Sequence, residues 1–209
     1  GTKMVCVIKT DGYGHGALPI ARLAEHMEDI WGFAVATAEE GEALRKGGIT
    51  KPILILGYTF PESYGDLVRL DIRPAVFTKE MAQALSDEAQ RQGKIAPVHI
   101  ALDTGMSRLG FSAEDIPALL ERLRACPGLK PTLAVSHFPC ADMPEKEEFT
   151  RRQLERFTAM TDSLRATYPA LKRSLANSAG TMGWPESRFE LCRPGFSLYG
   201  GNPFRGSAW

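Results

Sequence analysis

The sequence predicts an α/β protein, a (β/α)₈ barrel of the TIM type with its chemistry at the C-terminal face of the strands. Three observations carry this. Short apolar runs alternate with segments of helical periodicity, which implies a parallel sheet. The runs are continuous and rich in Val, Ile and Leu, as strands covered on both faces should be. Eight such runs fit within the 209 residues, the number a closed barrel needs. A doubly wound open sheet is the alternative. The glycines at 12, 14 and 16 have the wrong spacing for the G-x-G-x-x-G turn of a dinucleotide fold, and no P-loop is present.

The elements follow in order. The first run, Met4 to Ile8, ends in Lys9. Asp11 to Gly16 then interleaves three glycines with Tyr13 and His15, which reads as a flexible loop. Apolar residues at 17, 18, 20, 21, 23, 24 and 27 mark a helix from Ala17 to Met27. The second run, 31–37, enters a helix whose Thr37 and Glu40 form a capping box and whose end is Gly47-Gly48. Run 52–58 precedes a shorter helix from Glu62 to Leu70. Run 73–78 leads to a helix capped by Thr78 and closed at Gly93. Run 98–104 passes through a glycine-containing loop to a helix from Ser112, which Asp115 helps to cap. Run 132–138 precedes a long helix from Glu147 to Ala166, and runs 173–178 and 189–200 complete the eight.

Composition narrows the class. Hydrophobic residues make up 44% of the chain and charged residues 24%, enough apolar material for a sizeable core. No Pro/Ser/Gly-rich linker interrupts it, so one barrel domain is expected over 1–200, with 201–209 beginning a linker to a C-terminal β-domain that this stretch lacks. Net charge is zero and the longest basic cluster is Arg151-Arg152, so neither a nucleic-acid partner nor electrostatic membrane attachment is expected. Cys6, Cys126, Cys140 and Cys192 are scattered without a C-x-x-C pair, which fits a reducing compartment. With no membrane-length apolar run and no signal-peptide pattern, the expected location is the cytoplasm. Gly1-Thr2-Lys3 enters a strand directly and the last ten residues read as an unfinished connection, so a longer chain is expected.

A barrel places its chemistry just after the strands. Lys9 ends the first run, Arg108 follows the fifth, His137 ends the sixth, Asn177 and Ser178 end the seventh, and Arg193 and Gly195 fall in the last. Each alone has a plainer reading. A strand-end lysine snorkels to solvent, a lone histidine is a satisfied core residue, an Asn-Ser pair makes a turn, and single arginines form surface ion pairs. His15 and Asp142 stay open between loop or cap and site.

Together they are chemically complementary. A lysine between apolar walls becomes an amine nucleophile toward an aldehyde. Tyr13, Ser178 and the backbone N–H groups around Gly195 and Phe196 suit a phosphate, since glycine lets backbone approach closely. Arg193 suits a ring nitrogen, and His137 an aromatic face. An amine, a phosphate cradle and a ring-nitrogen partner describe pyridoxal 5′-phosphate (PLP) held as a Schiff base.

At these residues the sequence resembles the bacterial alanine racemase family, PLP-dependent enzymes with a barrel followed by a β-domain. The matching stretches are VIKTDGYGHG, DTGMSRLGF, SHF followed by AD, ANSAG and RPGFSLYG, in the right order from residue 5 to 200. The resemblance implies interconversion of L- and D-alanine, for cell-wall synthesis, in a homodimer. It makes Lys9 the cofactor lysine and one catalytic base. It puts Tyr13, Ser178, Gly195 and Phe196 around the phosphate with Asn177 in support, Arg193 at the ring nitrogen and His137 on the ring. It places Arg108 near the phenolic oxygen and the substrate carboxylate. No metal is implied. An arginine at the ring nitrogen holds its proton, so the ring is a weak electron sink and reprotonation at Cα is favoured.

Two departures from the family pattern stand out. Ala101 occupies the place of a lysine that, as a carbamate, supports the arginine; a bound anion such as chloride beside Arg108 is the expected substitute, which an anomalous halide peak would reveal. The family's second base, a tyrosine from the partner's C-terminal domain, has no counterpart among Tyr58, Tyr64, Tyr168 and Tyr199. Residues 1–209 alone are therefore expected to racemise poorly. A serine or broad-specificity racemase shares all these motifs, and a non-catalytic PLP-binding barrel is the reading outside enzymes.

Overall fold

In the computed structural model, which describes residues 1–204, the chain forms a ring of parallel strands wrapped by helices. The first sheet contains β1 (Lys3–Val7), β2 (Ile30–Val35), β3 (Ile53–Ile55), β4 (Ile72–Arg73) and β9 (Leu191–Cys192), in the order β4-β3-β2-β1-β9. The second contains β5 (Ala75–Val76), β6 (Ala96–Ala101), β7 (Leu129–Val135) and β8 (Lys172–Ser174), in that order. The strand pairings among the described residues are all parallel, from Val7 opposite Ala34 to Val135 opposite Ser174.

The fourth expected strand is present but split. Pro74 has no N–H to give a ladder, so β4 pairs back to β3 while β5 pairs forward to β6. The Pro74 carbonyl still accepts from His99 N–H at 3.2 Å, which ties this seam. The other seam closes where Arg193 N–H donates to the Ala176 carbonyl at 2.8 Å. Eight strand positions thus make one barrel, as the sequence predicts.

Alternation along each strand separates inside from outside. Val5, Val7, Ala34, Leu54, Leu133, Val135 and Leu191 fill the barrel. Their neighbours Cys6, Ile8, Phe33, Val35, Ile53 and Ile55 face outward, under α2 (Ala17–Ala24) and α3 (Ala38–Lys46). A second outer layer packs Val98, Ile100 and Ala134 against α5 (Lys79–Arg91), α6 (Ile116–Arg124) and α7 (Glu147–Thr167). The remaining helices are α1 (Lys9–Tyr13), α4 (Tyr64–Leu70) and α8 (Ser178–Gly183).

Most local signals hold. Thr78 Oγ1 accepts from Met81 N–H at 3.1 Å, and Gly93 takes a φ of +64° to end α5 as expected. Asp115, however, does not cap α6. Its carboxylate accepts from Ser112 N–H and Oγ–H instead, closing a turn before the helix begins at Ile116. The helix after the first loop stops at Ala24 and not at Met27. Only Leu191–Cys192 of the last run is strand; Phe196–Tyr199 is a 3₁₀ turn. The expected linker, 201–209, falls partly outside the described residues.

All four cysteines are free, and no helix among the described residues is long and apolar enough to cross a membrane.

Candidate active site

The segment after β1 has the least ordinary backbone among the described residues. Thr10, Asp11, Gly12 and Tyr13 all take φ between 50° and 62°, a complete left-handed turn where the sequence suggested a flexible loop. Each non-glycine residue there costs about 1–2 kcal/mol, so the turn persists only because it is tied down. Asp11 Oδ1 accepts from Ala17 N–H at 2.8 Å, and Glu40 accepts from Thr10 N–H at 2.7 Å. Charge-assisted bonds of this kind are worth about 1.5–3 kcal/mol each. Tyr199 covers the turn from the far end of the chain. Its ring lies 4.9 Å from Tyr13 and 4.9 Å from His15, and its hydroxyl donates to the Val7 carbonyl. His15 is thus a packing residue.

Lys9, at the start of this turn, opens into a cavity of about 370 Å³ at the C-terminal ends of the strands. Arg108, His137 and Arg193 line the same cavity, so four of the residues singled out by sequence converge. Among the described residues, the one acid lining it is Asp103, whose Oδ1 already accepts from Gly105 and Ser107 N–H in its own loop. Lys9, Arg108 and Arg193 therefore make the cavity cationic, suited to an anionic ligand.

Arg193 is buried and held by three bonds. Nη1 donates to the Ser174 carbonyl and Oγ at 2.6 Å each, and Nη2 donates to the Ser136 carbonyl at 2.5 Å. Of its five N–H groups, three are used by these bonds and two have no partner among the described residues. Burial pushes its pKa down to about 10, with Cys192 opposing and Arg108 adding to the shift; it stays charged at neutral pH.

His137 is held at about 3 by burial first, then by the charges of Arg193, Arg108 and Lys9. A neutral ring results, one that can pack on an aromatic face without a charge to desolvate. His99, inside β6 and not at a strand end, also lines the cavity and is likewise lowered to about 3, by burial and then by Arg193 and Arg73. Its Nδ1 is buried without a partner. Both folded pKa values lie below the ordinary 6.5. Between those limits the unfolded chain binds protons that the folded chain refuses, so stability falls as pH drops from 6.5 toward 3. Urea midpoints should decline steadily from pH 7 to pH 4, with side-chain NMR showing both rings neutral at pH 5. A normal titration of His137 near 6.5 would contradict the assignment.

Arg108 sits near the tip of a tightly returned loop. Phe111 N–H donates to the Ala101 carbonyl and Asp103 N–H to the Phe111 carbonyl, so the chain doubles back on β6. Gly110 at φ +123° is required there, because a Cβ would stand 2.6 Å from the Asp103 nitrogen. Arg108 itself is exposed and has no hydrogen-bond or ion-pair partner among the described residues. Ala101 lines the cavity beneath it.

Tyr13, Asn177, Ser178, Gly195 and Phe196 do not line this cavity; they form a second cluster beside it. Ser178 Oγ accepts from both Gly195 and Ser197 N–H at 3.1 Å. Asn177 supports the cluster: its Oδ1 accepts from Gly180 N–H and its Nδ2 donates to the Phe138 carbonyl. Gly195 is a close approach, since a Cβ there would lie 2.6 Å from the Tyr13 hydroxyl. Phe196 is half exposed at the rim. The two clusters are joined through the backbone by Arg193 to Gly195 and by Lys9 to Tyr13. Asp142 lies elsewhere, in a shallow hollow beside Trp184.

Comparison with known proteins gives a consistent picture. A family model described as alanine racemase, N-terminal domain, matches residues 1–203. An alanine racemase of Nitratidesulfovibrio vulgaris is 44% identical over 203 residues, covering 97% of this chain and 54% of that protein. Among solved structures, an alanine racemase of Clostridium difficile superposes with a TM-score of 0.92 at 37% identity, over 98% of this chain and 53% of its own. One from Bacillus anthracis, solved with bound L-Ala-P, gives 0.85 at 30% identity, over 98% of this chain and 53% of its own. The chain spans about half the length of the curated relatives it matches.

Proposed function

This chain belongs to the alanine racemase family, by its N-terminal domain, and on that premise we propose that it is the cofactor-bearing half of a PLP-dependent enzyme interconverting L- and D-alanine. The observation that carries the proposal is the pairing of one amine, Lys9, in a cationic cavity with a separate polar cradle around Ser178 and Gly195. PLP makes the same pair of demands, since its aldehyde and its phosphomethyl arm stand on adjacent ring carbons and call for an amine and an anion cradle side by side.

The residues fit the cofactor. Gly195 lacks the Cβ that would displace the Tyr13 hydroxyl, so that hydroxyl, Ser178 Oγ and the N–H groups of Gly195 and Ser197 stand together as the groups that would hold a phosphate. Arg193 offers two N–H groups to a ring nitrogen. His137 packs on the ring as a neutral imidazole, and Arg108 meets an anionic oxygen at the cavity mouth. When bound, PLP supplies an electron-withdrawing system that acidifies the substrate Cα–H. Lys9 is the group that moves that proton on its face of the ring. Arg193 remains protonated and donates without giving its proton up, which limits charge uptake by the ring and favours proton return to Cα.

Racemisation also needs a proton-transfer group on the opposite face. We assign it to a segment outside residues 1–204, in the β-domain of a partner in a cytoplasmic homodimer, as part of D-alanine supply to the cell wall. Residues 1–200 would be the barrel domain, with the linker following. The experiment is a comparison of two proteins. Purified residues 1–209 should capture PLP on Lys9 yet racemise alanine at about a hundredth of the full-length rate or less, the usual worth of one acid–base group. Full turnover by residues 1–209 would overturn the assignment of the second base. Serine in place of alanine as the preferred substrate would overturn the substrate.

A further inference from the structure

Glu40 is the residue whose sequence role and structural role diverge most. A capping box requires its carboxylate to reach back to the N–H of the capping threonine. Thr37 Oγ1 does accept from Glu40 N–H at 3.4 Å, but the carboxylate goes elsewhere. Oε2 accepts from Ala36 N–H and Oε1 from Thr10 N–H, each at 2.7 Å.

The location explains the diversion. The last backbone bond joining this edge of β1 to β2 runs from Ile8 N–H to the Ala34 carbonyl. Beyond it the first strand turns left-handed, and Thr10 and Ala36 present two donors to each other. Two donors cannot satisfy one another. A carboxylate, with an acceptor oxygen for each, can. Ala36 lines the cavity beside Lys9, so the bridge clamps one wall of the cavity to the backbone that carries the amine.

We propose that Glu40 is a positioning residue: it extends the β1–β2 pairing by a side-chain bridge and so fixes where Lys9 projects and where Tyr13 lies. This rests on the PLP role of Lys9 given above. If Glu40 merely capped α3, alanine would be well tolerated, being the best helix former, and the turn at Thr10 would be indifferent to it.

The test uses Glu40→Ala and Glu40→Gln in the purified protein, with amide exchange read by NMR and PLP capture read as borohydride-fixed label on Lys9. In Glu40→Ala, exchange at Thr10 and Ala36 should rise at least about tenfold, and capture at subsaturating PLP should fall about tenfold, the worth of one charge-assisted bond. Amides of Ile100 and Ala101, across the barrel, should keep their wild-type exchange. Glu40→Gln retains one acceptor oxygen and should fall between; it carries the test should the alanine variant not fold. Unchanged exchange at Thr10, or raised exchange with undiminished capture, overturns the inference alone. A wild-type protein that fixes no PLP on Lys9 overturns the function proposed above and this inference with it.

Discussion

Lys9→Ala in the full-length protein is expected to lower alanine racemisation by about 10⁴-fold, the upper end for loss of one acid–base group, and to abolish borohydride-fixed PLP altogether. Among the described residues lining the cavity this is the one amine: the other cations are guanidinium groups, which do not act as nucleophiles at neutral pH. Stability should barely move. Lys9 is only partly buried, and the left-handed turn is held by bonds from Asp11 and Glu40 that the substitution leaves intact. A shift within about 1 kcal/mol is therefore expected in denaturant unfolding, as for a site outside the core. Mass spectrometry of the reduced protein gives the chemical half of the result and a urea titration the structural half. Label persisting on another lysine would show that the cavity amine is not the attachment point.

Arg193→Met should do the reverse, with its largest effect on stability. Methionine has a comparable reach but no donors, so the Ser174 and Ser136 carbonyls and Ser174 Oγ lose the guanidinium that satisfies them in the interior. Each buried polar group left unpaired costs about 1–3 kcal/mol. Relief from burying a cation that no carboxylate neutralises offsets part of this. The net loss expected is about 2–4 kcal/mol, or about 5–15 °C in Tm for a chain of this size. PLP should still attach to Lys9, since neither the amine nor the Ser178 cradle is altered. A Tm change under about 2 °C would show that these three buried bonds together contribute no more than a surface ion pair, at most about 1 kcal/mol.

The barrel was legible because its signal is local and repeated: each apolar run ends in a polar residue, and the run ends meet at one face. Lys9, Arg108, His137 and Arg193 could be placed on one mouth from that rule alone. What escaped was structure set by distant partners. The glycines at 12, 14 and 16 suggested mobility, whereas the left-handed turn is fixed by Glu40, thirty residues on, and by Tyr199 at the other end of the chain. Glu40 fits a capping-box pattern by its spacing from Thr37, yet its carboxylate goes to Thr10 and Ala36 instead. The split at Pro74 could have been read from the missing N–H. His99 could have been found too: it lies two residues before Ala101 on the same strand, and strand parity puts both on the cavity face. The short α8 had no apolar periodicity to announce it; Asn177 caps it through Gly180 N–H.

The amine cavity and the Ser178 cradle should prove to be two adjoining parts of one site. A crystal structure of the PLP-loaded protein addresses this directly. It should show the aldehyde carbon bonded to Lys9 Nζ, the phosphate within hydrogen-bond reach of Tyr13, Ser178 and the backbone around Gly195, and the ring nitrogen facing Arg193. A phosphate seated instead against Arg108, with the Ser178 cradle empty, would contradict it.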